Sequence, residues 1–162
     1  MPNILAIETS SDACSLAVSD GKRSVACHEL IPQRHTEKLL ILMQQLMNKI
    51  NLTYQDLDVV AVGRGPGSFT GTRLACSVTQ GLAYSIGIPA ISVSSMQILA
   101  QGINREFKCA EVTVLINAHM EQIYVGEFEF AEEHLISASE KALYLYEFKK
   151  VNFSQGSFFV GD

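Results

Sequence analysis

The chain has 162 residues, 48% of them hydrophobic and 18% charged, which excludes intrinsic disorder and suits one domain, or two small ones sharing a sheet architecture. A formal net charge of −5 excludes a general basic surface for nucleic acid, so any RNA contact would be local or supplied by a partner. Cys14, Cys27, Cys76 and Cys109 are scattered and form no CxxC pair, the pattern of free thiols in a reducing cytosol rather than of a zinc site or a disulfide framework.

The opening stretch MPNILAIETSS has no basic segment, and its apolar run is only one strand long, so it does not read as a secretory signal. No apolar segment reaches the roughly 18–20 residues that cross a bilayer. The expectation is a soluble cytoplasmic protein without a membrane partner. Residues 4–7 read as a buried strand, and 14–19 and 24–30 as two more, with Asp20-Gly21 as the hairpin turn between them. Residues 35–50 read as a helix. Leu39, Leu42, Met43, Leu46 and Ile50 form one stripe, Leu40 and Met47 widen it, and Ile41 lies on the far side. That apolar arc is wider than a surface helix needs. Asn51 reads as the stop of this helix.

Residues 59–62 are the next strand, and GRGPGSFTGTR (63–73) follows. Residues 69–86 read as a helix rich in small residues, ended by Gly87 and Pro89. Residues 90–93 read as a strand and 94–101 as a short helix with hydroxyl caps. The order of three antiparallel strands, then helix and strand in alternation, predicts an α/β layer on a mixed sheet. Polarity rises over 104–110, where a boundary is expected. Beyond it, 112–117 and 122–130 read as a hairpin, 132–150 as a charged helix, and 158–160 as a last apolar run.

GRGPGSFTGTR fails three familiar patterns. A Walker loop needs GxxxxGK[ST], but Gly65 and Gly71 are one residue too far apart and no lysine follows. The GxGxxG fingerprint fails at Ser68 and at Thr70. A nucleophile elbow GxSxG fails because Phe69 stands at its centre. What remains is a glycine-rich strand-to-helix turn that exposes N–H groups, with Ser68 or Thr70 as cap. Anion binding and plain turn geometry both stay open. The stretch IETSSDACS raises a similar pair of readings: Thr9, Ser10 and Ser11 as a weak phosphate or nucleotide turn with Glu8 near a metal, or an ordinary polar hairpin.

Taken together, IETSSDACSLAV, QRHTEKLL, GRGPGSFTGTR, QGLA and the hairpin around INAHMEQIY resemble the bacterial TsaB (YeaZ) family over most of residues 3–130. The match in GxGPGSFTGxR comprises Gly63, Gly65, Pro66, Gly67, Ser68, Phe69, Thr70, Gly71 and Arg73. The resemblance implies an actin/sugar-kinase/Hsp70-like (ribonuclease H-like) fold with two similar subdomains. These are expected at 1–108 and 109–162, the second incomplete at residue 162. It also implies a non-catalytic accessory role in making threonylcarbamoyladenosine on tRNA. The partners implied are a TsaD-type catalytic subunit, a TsaE-type ATPase, tRNA through the complex, and a second copy of the chain when alone. ATP and magnesium would be used by the complex, with no cofactor held tightly by this chain.

The implied partner interface lies on the helices of the first subdomain: Leu39, Leu42, Met43 and Leu46 with Phe69, Arg73, Ala75, Cys76 and Thr79. Arg73 is placed to meet a partner's carboxylate or an RNA phosphate. The superfamily carries a peptidase label, but the catalytic relative's HxxxH metal pair is replaced here by Ser95 and Leu99, and leucine cannot ligate a metal. No catalytic and no metal residue is therefore expected. The alternative is a nucleotide-binding enzyme of the same fold, ATPase or kinase-like, using Thr9–Ser11. The chain departs from the family at Asn117 and His119, where an acid and an arginine are usual, and is expected to end earlier than family members usually do; the lack of a second phosphate turn counts against tight nucleotide binding.

Overall fold

The computed structural model describes residues 1–148 and 158–161. It divides into two compact units, Met1–Val93 and Ser94–Asp162. In the first, β1 (Ile4–Glu8), β2 (Ala13–Ser19) and β3 (Ser24–Leu30) are antiparallel neighbours. β4 (Val59–Gly63) pairs parallel with β1, and β5 (Ala90–Val93) parallel with β4, giving the order β3-β2-β1-β4-β5. The β2–β3 turn forms where Asp20-Gly21 predicts it. The Asp20 carboxylate accepts from the backbone N–H groups of Arg23 and Lys22, and Gly21 takes φ 78°. Those hydrogen bonds, from Arg23 above all, hold the Asp20 carboxyl down at about 2.

Two helices, α1 (His35–Ile50) and α2 (Phe69–Ile86), pack on one face of this sheet. Leu5, Ile7, Leu16, Val18, Val60 and Val62 point into that face, following the two-residue side-chain alternation of a strand. α1 ends at Asn51, which takes the left-handed conformation as its C-cap. Gly87 does the same for α2.

The second unit repeats the plan. β6 (Glu111–His119), β7 (Gln122–Ala131) and β8 (His134–Tyr144) are antiparallel neighbours, and β9 (Phe158–Gly161) joins β6 in parallel, in the order β8-β7-β6-β9. α3 (Ser95–Phe107) lays Met96 and Ala100 on Val112, Val114, Ile116, Phe128 and Phe130. Gly126 makes room for this packing, because a Cβ there would crowd the Phe128 ring and the Met96 methyl. A short helix, α4 (Leu145–Phe148), follows β8. Both sheets thus share one order: three antiparallel strands, with a fourth running parallel to the first on its far side. That is the actin-like, ribonuclease H-like mixed sheet expected from the sequence.

Three local expectations give way. The units divide before α3 rather than after residue 108, since Met96 and Ala100 belong to the second core. α3 itself runs to Phe107, through the stretch whose polarity suggested a boundary. Its Asn104 is 1% exposed and donates to the carbonyls of Cys109 and Glu132, so a polar residue here closes a core. Most of the segment read as a charged helix, 132–150, is β8. This strand is almost wholly exposed, so it lacks the apolar alternation that would mark it, and its β7 pairing defines it. Residues 149–150 of that expectation lie outside the described residues. At the β6–β7 tip, the Asn117 side-chain carbonyl accepts from the His119 N–H at 2.9 Å, next to a register shift.

Candidate functional site

Because β1 and β4 are parallel neighbours, the turns that follow them leave the same end of the sheet. They meet closely. The buried Thr9 hydroxyl donates to the Gly71 carbonyl at 2.8 Å, and the Ser68 N–H donates to the Ser10 carbonyl. A Cβ at Gly71 would strike the Thr9 carbonyl, one at Gly67 the Ser10 carbonyl, and one at Gly63 the Glu8 carboxylate. Gly67 and Gly71 are thus points where one backbone lies against another, while Gly63 leaves room for the Glu8 side chain. Gly65 takes φ 84° and precedes Pro66 through a cis peptide bond. Ser68 caps α2 by accepting from the Gly71 N–H at 3.3 Å, while Thr70 stays exposed.

This junction sorts the weak phosphate candidates. Thr9 faces inward and is engaged with Gly71. Ser10 is 9% exposed, and its N–H donates to the Glu8 carboxylate at 2.6 Å. Ser11 is exposed and its hydroxyl accepts from the Ala13 N–H. Beside the junction lies a cleft of about 300 Å³ that Ser11, Ser68, Thr70 and Gly71 line together with His35 and Thr36. Only Ser11 of the three N-terminal hydroxyls lines it. Among the described residues no cluster of three or more His, Cys, Asp or Glu is placed to hold a metal ion. Ser95 is buried at the start of α3 and Leu99 is half-exposed one turn later.

The expected interface divides in two. Leu39, Leu42, Met43 and Leu46 are between 1% and 5% exposed and fill the first unit's core. Ala75 and Thr79 are likewise buried, at 0% and 1%. These six are covered within the chain, so their assignment to a partner surface is corrected: the wide apolar stripe serves the sheet beneath it. Phe69 and Arg73 do face outward, and Cys76 is half-buried. Exposed with them are Leu40 and Ile41 on α1 and Tyr84 on α2, at 59%, 52% and 92%. The heptad-like stripe hides such residues, since it marks the buried face. The signal that finds them is the opposite one, bulky apolar residues on the polar side of a helix.

A family model described as "TsaD: tRNA N6-adenosine threonylcarbamoyltransferase" matches residues 28–153. Individual relatives carry a different name. The tRNA threonylcarbamoyladenosine biosynthesis protein TsaB of Buchnera aphidicola subsp. Schizaphis graminum is 36% identical over 148 residues, covering 91% of this chain and 70% of that protein. The TsaB of Escherichia coli K12 is 36% identical over 137 residues, covering 85% of this chain and 59% of that one. The chain therefore spans well under the full length of the relatives it matches. The solved structure of YeaZ from Pseudomonas aeruginosa superposes with a TM-score of 0.84 at 36% identity, over 88% of this chain and 68% of that one. Identity of this extent, with the same backbone, decides between the two names: the chain belongs to the TsaB (YeaZ) family.

Proposed function

We propose that this chain is a non-catalytic subunit in tRNA threonylcarbamoyladenosine biosynthesis, pairing with a TsaD-type catalytic subunit and supporting threonylcarbamoyl transfer to tRNA adenosine. The observation that carries the reading is the outward face of α1 and α2, where Leu40, Ile41, Phe69 and Tyr84 stand exposed. Large apolar side chains left exposed on both helices, away from the sheet they cover, support a protein-binding role for these helices. The same face would support a homodimer when the partner is absent. A TsaE-type ATPase joins the pair, tRNA is met through the complex, and the setting is cytoplasmic. ATP and magnesium act in the complex rather than on this chain.

The absence of catalysis by this chain rests on residue chemistry. Leu99 stands where the catalytic relative places a metal-binding histidine, and a leucine side chain has no donor atom. Peptidase activity has no support on that helix for the same reason. The nucleotide-enzyme alternative is weakened by Thr9, whose hydroxyl is buried and bound to Gly71.

The test is co-purification of the full chain with a TsaD-type subunit from the same cells. The wild-type chain should form a stable pair, and the double variant Ile41→Glu, Tyr84→Glu should lose it while unfolding at the same urea concentration as wild type. Retention of the pair by that variant would refute this placement of the interface. ATP turnover by the isolated chain would favour the enzyme reading instead.

A further inference from the structure

The outward face of α2 has an unusual charge pattern. The helix FTGTRLACSVTQGLAYSI contains one cation, Arg73, and no acid. The Arg73 guanidinium lies 3.6 Å above the Phe69 ring centroid, and Phe69 is itself 68% exposed. Among the described residues no carboxylate forms an ion pair with Arg73, nor with Lys22, Lys38, Lys49 or Arg64, whereas Arg23, Arg34, Arg105, Lys108 and Lys141 each have one; what sets Arg73 apart is the ring beneath it. Arg73 is thus a cation seated over an aromatic ring, with no carboxylate on its guanidinium. A planar guanidinium fixed in this way is prepared for two parallel hydrogen bonds to a carboxylate. Ser77, Gly81 and Ser85 follow at four-residue spacing and are exposed, so another helix can approach the α2 backbone closely along this line.

We infer that Arg73, braced by Phe69, is the charged anchor of this face and receives an aspartate or glutamate carboxylate from a helix of the partner protein. This rests on the reading of the α1–α2 face as the partner-binding surface, and it adds the chemistry that the partner must present. An acidic helix fits better than an RNA backbone. Tracking phosphates takes several cations along a groove, and α2 offers one, beside neutral Phe69, Ser77 and Tyr84. Aromatic and arginine side chains together are also the usual strong contacts of protein interfaces. The neutral neighbours give such a pair a dry surround in which charge pairing is selective.

The experiment measures Kd for the full chain and the TsaD-type subunit, by calorimetry at low and high salt, with tRNA retention by the pair as a second readout. Arg73→Gln should weaken the pair about tenfold or more, Arg73→Lys less, and Arg73→Glu most. Unfolding midpoints should be unchanged, since the side chain is exposed. The salt dependence of wild-type binding should fall in Arg73→Gln. A lysine replacing one acidic residue of the partner's facing helices should restore binding to Arg73→Glu. Wild-type binding with unchanged Kd in Arg73→Glu would overturn this inference alone. Intact pairing with reduced tRNA retention would overturn it in favour of a phosphate contact. Failure of the wild-type chain to bind at all would overturn the underlying reading, and this inference with it.

Discussion

Thr9 ties two turns that are 62 positions apart in the chain: its hydroxyl bonds the Gly71 carbonyl in a buried setting. Removing the hydroxyl while keeping the shape takes from that carbonyl the donor it has beyond its own helix, at a cost of about 0.5–1.5 kcal/mol. Gly71→Ala acts on the same contact from the other side, pressing a methyl group into the Thr9 backbone. Backbone cannot yield as a flexible side chain can, so the cost is at least the roughly 1–3 kcal/mol of an overpacked core. Urea unfolding should therefore show lower midpoints for Thr9→Val and for Gly71→Ala. Their double variant should cost less than the sum, because both break one contact. Full additivity would show that Thr9 and Gly71 act separately, and a phosphate-binding role for Thr9 would regain ground.

At the scale of elements, α1 shows how a correct helix can be assigned the wrong duty. Its limits, 35–50, were legible from apolar spacing, and its stop from Asn51. Which side meets a partner was not, because burial in the chain's own core and burial in an interface select the same side chains. The sheet below α1 takes Leu39, Leu42, Met43 and Leu46, leaving Leu40 and Ile41 outward. The distinction is measurable. Leu46→Ala should destabilise the chain by about 2–5 kcal/mol, as expected when a buried leucine is truncated. Leu40→Ser with Ile41→Ser should leave the unfolding free energy from urea titration within about 0.5 kcal/mol of wild type and weaken association with the TsaD-type subunit. The opposite pattern would return the interface to the apolar stripe. β8 and the end of α3 were illegible for a related reason. An exposed edge strand such as β8 needs little apolar alternation, and Asn104 satisfies its amide at the carbonyl of Cys109, past the helix end, and at that of Glu132, 28 residues on. Local pattern carries no trace of either. The glycine-rich turn was legible as a turn, but its purpose was not, since the carbonyls it packs against belong to β1's turn.

For the whole molecule, charge decides what the chain can bind alone. The net charge is −5, and Arg23, Arg34, Arg105, Lys108 and Lys141 stand against carboxylates of the same chain. Exposed ion pairs contribute little to stability, but they reduce the positive potential that a polyanion would meet. RNA affinity comes largely from releasing counterions at cationic contacts, and proteins equipped for it reach non-specific Kd values of about 10⁻⁴–10⁻⁶ M at physiological salt. With a net charge of −5 and half of its described cations already paired, the isolated protein should bind tRNA more weakly than about 10⁻⁴ M. Anisotropy of a labelled tRNA titrated with the chain alone should stay flat through that range. It should rise once the TsaD-type subunit is added, if tRNA is met through the complex. Micromolar binding by the chain alone would mean that a local cationic site outweighs the overall charge. The subunit would then contact tRNA itself rather than only support the protein that does.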